Sequence, residues 1–187
     1  MASRKERIQT ELLVLRYRRG DERALEELVS IWERPLFYYI RRLVDSEEDA
    51  WDVLQEVWFK VIRKVRKLRD PAAFPPWLYK LARSSAIDHL RRNPSFTPFS
   101  EHGQEQIAIQ DEVDVLSWTL EAEKLHWGLS RLSHHHREAL ILHFLEGFSL
   151  AEISEITGAS VGTIKSRLHY ARKSLRSLLE REAGSHE

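Results

Sequence analysis

From Ser160 to Leu179 the chain carries five basic residues and no acid. Val161, Ile164, Leu168, Ala171, Leu175 and Leu178 fall on one apolar stripe at helical spacing. The opposite face is then Thr163, Lys165, Ser166, Arg167, His169, Tyr170, Arg172 and Lys173. Lys and Arg neutralise phosphates, while Ser, Thr and Arg also reach base edges in a major groove. Just upstream, Ser149-Leu150-Ala151-Glu152 has the S-x-x-E form of a capping box. The short helix it opens ends near Gly158, at a turn that calls for positive φ, and Ser160 can cap the helix that follows. A short helix, a tight turn and a longer helix, locked by Ile153, Ile156, Val161, Ile164 and Leu168, make a helix-turn-helix. A solvated helix of an ordinary bundle would carry the same stripe, but its exposed face would not be free of acids, so DNA is the favoured target.

Other chemistries find less support. There is no cysteine, which excludes disulfides, thiolate zinc sites and Cys nucleophiles together. His134-His135-His136 points three ways on a helix, so the run does not chelate one ion, and no metal ligand set or cofactor is expected. Nine His and 29 Asp/Glu make acid–base pairs easy to draw. Yet H-E-x-x-H, G-x-S-x-G, a Gly-rich phosphate loop and a dinucleotide fingerprint are all missing, and no catalytic residue is assigned.

The elements around these residues read as all-α. Ala24, Leu25, Leu28, Val29 and Trp32 mark one helix, and Pro35 suits the first turn of a second carrying Leu36, Tyr39, Ile40 and Leu43. Asp45-Ser46-Glu47-Glu48-Asp49 supplies the caps and acids of a helix start. The longest periodic run follows: Ala50, Val53, Leu54, Val57, Trp58, Val61, Val65 and Leu68, stopped by Asp70-Pro71. Phe74-Pro75-Pro76-Trp77 is expected to be a rigid loop ahead of a helix from Trp77 to about Arg92. Residues 93–117 read as a flexible linker, broken by Pro94, Pro98 and Gly103. Beyond Trp118, Leu125, Leu129 and Leu132 give another helix, and Ser133 can cap one that runs through Ala139, Leu140, Leu142 and Leu145 to Gly147.

Charge divides the 187 residues the same way. Residues 1–95 hold 20 Lys/Arg and 15 Asp/Glu, residues 96–127 one Lys and seven acids, and residues 128–187 eight basic and seven acidic side chains. The net charge is zero, which is unusual for a free-standing DNA binder. Two small helical domains, 10–92 and 118–181, joined by an acidic linker at 93–117, are therefore expected. No apolar run reaches the ~20 residues of a membrane span. The charged start, Met1-Ala2-Ser3-Arg4-Lys5-Glu6, does not read as a secretory signal, so a cytoplasmic protein is expected.

Several segments resemble a known family. Arg137 through Ser149, with Ala151-Glu152-Ile153 and Gly162-Thr163-Ile164-Lys165-Ser166-Arg167-Leu168-His169-Tyr170-Ala171-Arg172, is similar to region 4 of bacterial sigma factors. Glu48-Asp49-Ala50 and Asp52-Val53-Leu54-Gln55-Glu56-Val57-Trp58 resemble region 2.2. Phe74, Trp77 through Arg83, and Ala86 through Arg92 resemble regions 2.3 and 2.4. The order and spacing match the extracytoplasmic-function (ECF) group, which keeps only regions 2 and 4. The resemblance implies a promoter-specificity subunit of RNA polymerase. Asp52, Gln55 and Glu56 would dock on the clamp helices of the largest polymerase subunit. Phe74, Trp77, Tyr79, Lys80, Arg83 and Ser84 would hold the −10 element, the aromatic rings stacking on unpaired bases. Ser160, Thr163, Lys165, Ser166, Arg167 and Tyr170 would meet the −35 element. The family is often held by an anti-sigma factor, which adds a candidate partner.

Ser84 and Tyr170 stand where the family often has Asn and Arg, and Ser133 where it often has Pro. The alternative is a stand-alone helix-turn-helix regulator, which would bind two half-sites as a dimer. The neutral charge favours the polymerase subunit, because the core enzyme would supply most phosphate neutralisation.

Overall fold

The structure is a computed structural model that describes residues 4–44, 46–92 and 122–183. Eight α-helices are described: α1 (Arg4–Arg18), α2 (Arg23–Arg41), α3 (Glu47–Lys64), α4 (Phe74–Arg92), α5 (Ala122–Ser130), α6 (His134–Leu140), α7 (Leu150–Thr157) and α8 (Val161–Ala183). No strand occurs among the described residues, as the periodicity predicts. The proposed linker at 93–117 lies outside them.

Two prolines are placed differently from expectation. Pro35 does not start a second helix but sits inside a continuous α2. A mid-helix proline removes one backbone hydrogen bond, but Ala24, Leu28 and Trp32 before it and Leu36, Tyr39 and Ile40 after it share one buried face. Breaking the helix would turn half of that face to water. Pro75 and Pro76 form no loop either: α4 begins at Phe74, so both fall in its first turn. The N–H groups there have no partner within the helix, and their absence costs nothing. A 3-10 turn at Pro71–Ala73, capped by the Asp70 carboxylate accepting from the Ala72 amide at 3.0 Å, leads the chain in.

Local chemistry sets the remaining ends. Ser46 Oγ accepts from the Asp49 amide at 3.0 Å, and Glu47, Glu48 and Asp49 complement the positive end of α3. Ser133 occupies the N-cap position of α6 but makes no capping hydrogen bond. After Leu140 the helix widens into a π turn over Ile141–Leu145, with the Glu146 amide donating to the Ile141 carbonyl at 3.0 Å. This wide turn swings Phe148 inward, where it is buried.

The two halves share one core. α1–α4 close around Leu13, Val14, Leu28, Leu36, Val53, Val57, Val61 and Leu78, and α5–α8 around Leu129, Leu140, Leu142, Ile153, Ile164 and Leu175. Between them α4 packs on α7. Tyr79 of α4 meets Phe148 with ring centroids 4.9 Å apart, and Tyr39 lies at the same centroid distance from Tyr79. Burying these rings holds the halves together through area removed from water and through edge-to-face contact.

Candidate nucleic-acid and polymerase interfaces

The helix-turn-helix is built as its sequence predicts. Ser149 Oγ accepts from the Glu152 amide at 3.3 Å, and the Ser149 amide donates to Glu152 Oε2 at 2.8 Å, completing the capping box. Gly158 ends α7 at φ +77, its amide donating to the Ser154 carbonyl at 2.9 Å. Ser160 Oγ accepts from the Thr163 amide at 3.1 Å and sets the start of α8. Ile153, Ile156, Ile164 and Leu168 lock α7 to α8. Val161 departs from the expected stripe and is exposed, because it sits in the first turn of α8, at the tip of the helix.

On the outward face of α8, Ser160, His169 and Lys173 are exposed and Thr163, Lys165, Ser166, Arg167, Tyr170 and Arg172 are half-buried. Ser160 and Thr163 share a hydroxyl–hydroxyl bond of 2.8 Å, and the Ser166 hydroxyl donates to the Gly162 carbonyl at 3.2 Å. Tyr170 stacks on His136 with centroids 6.5 Å apart. The expected −35 residues therefore gather around the first turns of α8, on both flanks and the outer side of its buried stripe, and Ser160, Thr163 and Ser166 also bond within the helix start.

The −10 set is divided. Lys80 and Ser84 are exposed and Trp77 is half-buried, its ring 5.8 Å from Phe74. Phe74 and Tyr79 offer no aromatic surface: both are fully buried, correcting the expectation that they face solvent. The reason for Tyr79 is the packing between the halves. Its hydroxyl donates to Glu146 Oε2 at 2.5 Å, and its ring lies against Phe148. Arg83 is engaged as well. Its Nε donates to Glu138 Oε1 at 2.9 Å, and the same oxygen accepts from the Tyr39 hydroxyl at 2.9 Å. A further tie joins Arg7 of α1 to Glu152 at 2.7 Å.

Electrostatics follow burial. Desolvation, reinforced by Glu138, lifts the Tyr39 phenol well above its ordinary value, and desolvation with Glu146 does the same for Tyr79, so both hydroxyls remain donors. Burial raises the Glu146 carboxyl above its usual range, with the Tyr79 hydrogen bond and Arg42 pulling the other way. At Glu152 burial works upward, but the bonds from Arg7 and Ser149 outweigh it and the carboxyl lies below its usual range.

On α3, Asp52 and Gln55 are exposed. Glu56 is half-buried and pairs with Lys60 at 2.7 Å and Arg92 at 3.2 Å, and these hydrogen bonds, Lys60's first, outweigh partial burial and hold its carboxyl below its usual range. The sequence reading missed two neighbours on the same outward side, Phe59 at 56 % exposure and Ile62 at 44 %. Their signal was available, since both are large and apolar yet fall off the buried stripe. Trp51, also exposed, packs its ring on Phe37 at 4.3 Å. Exposed apolar side chains grouped with polar ones mark a partner surface. Also missed were Tyr39, Glu138 and Glu146, although an acid beside the apolar run Ala139–Leu142 is a sign of a buried partner.

Comparison with known proteins agrees with this architecture. The family described as Sigma-70 region 2 matches residues 28–95, and that described as Sigma-70, region 4 matches residues 124–175. RNA polymerase sigma-H factor of Pseudomonas aeruginosa is 30 % identical, over 92 % of this chain and 94 % of that protein. The ECF RNA polymerase sigma-E factor of Haemophilus influenzae is 31 % identical, over 94 % and 97 %. The fold is also that of CnrH, solved in complex with the cytosolic domain of CnrY, at a TM-score of 0.65 and 22 % identity, over 92 % of this chain and 98 % of that one. Sigma factor RpoE of Bartonella quintana, solved with the anti-sigma factor NepR, gives 0.64 at 24 % identity, over 83 % and 96 %. With regions 2 and 4 in order and relatives matched along nearly their whole length, the chain belongs to the sigma-70 family, in its extracytoplasmic-function group, and is a sigma factor conferring promoter specificity on bacterial RNA polymerase.

Proposed function

We propose that initiation by this sigma factor divides among three surfaces. Asp52, Gln55 and Glu56, joined by Phe59 and Ile62, dock on the clamp helices of the polymerase core. Trp77, Lys80 and Ser84 meet the −10 element directly, and Tyr79 and Arg83 join them once region 4 has moved off α4. Phe74 supports Trp77 from beneath. Ser160, Thr163, Lys165, Ser166, Arg167 and Tyr170 read the −35 element. Domain limits of 10–92 and 118–181 with a linker at 93–117 fit this division. The observation that carries the −35 assignment is the fully capped α7–turn–α8 unit, with its acid-free basic side turned outward.

The protein acts without catalysis of its own, in the cytoplasm, and no helix among the described residues is long and apolar enough to cross a membrane. The solved relatives bound to CnrY and NepR make an anti-sigma factor a fitting partner here too. Transcription by reconstituted holoenzyme on promoters with intact and scrambled −35 elements tests the reading. Equal activity on both would end the region 4 assignment. A shift of promoter DNA by this chain alone, as tight as with core enzyme, would favour the stand-alone regulator.

A further inference from the structure

Next to the joint between the halves, His134, His135 and Glu138 bring one ligand atom each to within 4.8 Å of one another. The spacing explains how: residues three and four apart on α6 lie over the same side, so His134 and His135 both reach Glu138. The three-histidine run does not converge on itself, and His136 turns away to stack on Tyr170. The two histidine rings meet edge to face at 5.8 Å, and none of their four nitrogens touches solvent. Glu138 divides its carboxylate. Oε1 takes the Tyr39 hydroxyl and the Arg83 guanidinium, while Oε2 is buried and receives no hydrogen bond among the described residues. A buried carboxylate oxygen without a donor is costly and calls for a partner.

We propose that His134, His135 and Glu138 Oε2 bind one divalent first-row transition ion, of which Zn²⁺ fits best. Two imidazoles and one carboxylate, without thiolate, are a known ligand chemistry for Zn²⁺ that leaves a position for water. Bonds of about 2.0–2.2 Å place tetrahedral ligands roughly 3.3–3.6 Å apart, so small rotations of the side chains close the present spacing. The four imidazole nitrogens are buried beside Glu138 Oε2, and neutral imidazole is the ligating form. The Arg83 and Arg137 charges oppose a cation, so binding weaker than that of a thiolate cage is expected.

The test uses the full chain, stripped with chelator, titrated with Co²⁺ for visible d–d absorption and with Zn²⁺ against a competing dye. One ion per chain is expected, with melting temperature raised in its presence. His134→Ala and His135→Ala should each weaken Zn²⁺ binding by about tenfold or more, the scale seen even for lost supporting groups. His136→Ala, in the same run but outside the cluster, should bind as the parent does. Circular dichroism checks that each variant is folded. No stoichiometric binding overturns the site, as does parent-like binding in both His134→Ala and His135→Ala. So does an equal loss in His136→Ala, which would mark general affinity of the histidine run.

Discussion

Replacing Arg83 by Ala strands a charge. Glu138 has a side chain only 1 % exposed, and Arg83, at 18 %, is the cation hydrogen-bonded to it. Removing one member of a buried pair costs about 3–5 kcal/mol, because the other is left desolvated and uncompensated. Here the remaining Tyr39 hydrogen bond serves one oxygen and Oε2 has none. The protein has a route to relieve the cost without unfolding, which is to part region 4 from region 2 and give Glu138 to water. The open-to-closed ratio should therefore rise by roughly 100- to 4,000-fold, at 1.4 kcal/mol per decade. Small-angle scattering of the isolated protein reads this as an increase in radius of gyration, while far-ultraviolet circular dichroism should show the helices intact. In the double variant Arg83→Ala/Glu138→Ala the stranded charge is gone, and much of the compactness should return. Were Arg83→Ala to scatter and melt like the parent, the ion pair would not be what holds the halves. Were the double variant as open as the single one, stranded charge would be the wrong cause.

Arg167→Ala should reduce transcription tenfold or more on an intact −35 promoter and much less on a scrambled one, since a bidentate base contact discriminates by roughly 1–3 kcal/mol. Equal losses on both would remove it from the base readers. The pair Gln55→Ala/Phe59→Ser should leave thermal stability within about 1 kcal/mol, as surface changes do, yet weaken capture by core polymerase in a pull-down. Glu146→Gln keeps an oxygen for the Tyr79 hydroxyl and removes a charge whose carboxyl is raised by burial. A raised acid contributes stability below its unfolded value and loses it as pH rises through the folded one. Denaturant midpoints should thus favour the variant at neutral pH, and its advantage over the parent should vanish toward pH 4.

Local signals proved easy to read. The capping box, Gly158 and Ser160 each act over a few residues, and all three stand as the sequence implied. Prolines misled, because Pro35 and the Pro75-Pro76 pair look like breaks when read alone. Whether a proline breaks a helix depends on which face the flanking residues bury, and that is settled by packing. The joint between the halves was illegible for a plainer reason. Tyr39 and Glu138 are 99 residues apart, Arg83 and Glu138 are 55, and Arg7 and Glu152 are 145. No periodicity reports such pairings. Tyr79 illustrates the consequence: an aromatic at a motif position reads as stacking surface until the partner that covers it is known.

Glu138 and Glu146 offer to Arg83 and Tyr79 much what a DNA backbone would, an anionic oxygen at hydrogen-bond distance. On the reading proposed above, region 4 carries an internal imitation of the nucleic acid that region 2 is built to hold. DNA affinity measured on the isolated chain then equals the intrinsic affinity multiplied by the open fraction. Substitutions that tighten the joint would lower promoter binding without touching any DNA contact, and those that loosen it would raise binding while costing stability. Added salt would weaken exposed phosphate contacts more than the buried Arg83–Glu138 pair. The salt sensitivity of promoter capture would then combine lost phosphate contacts with a shift back toward the protein's own carboxylates.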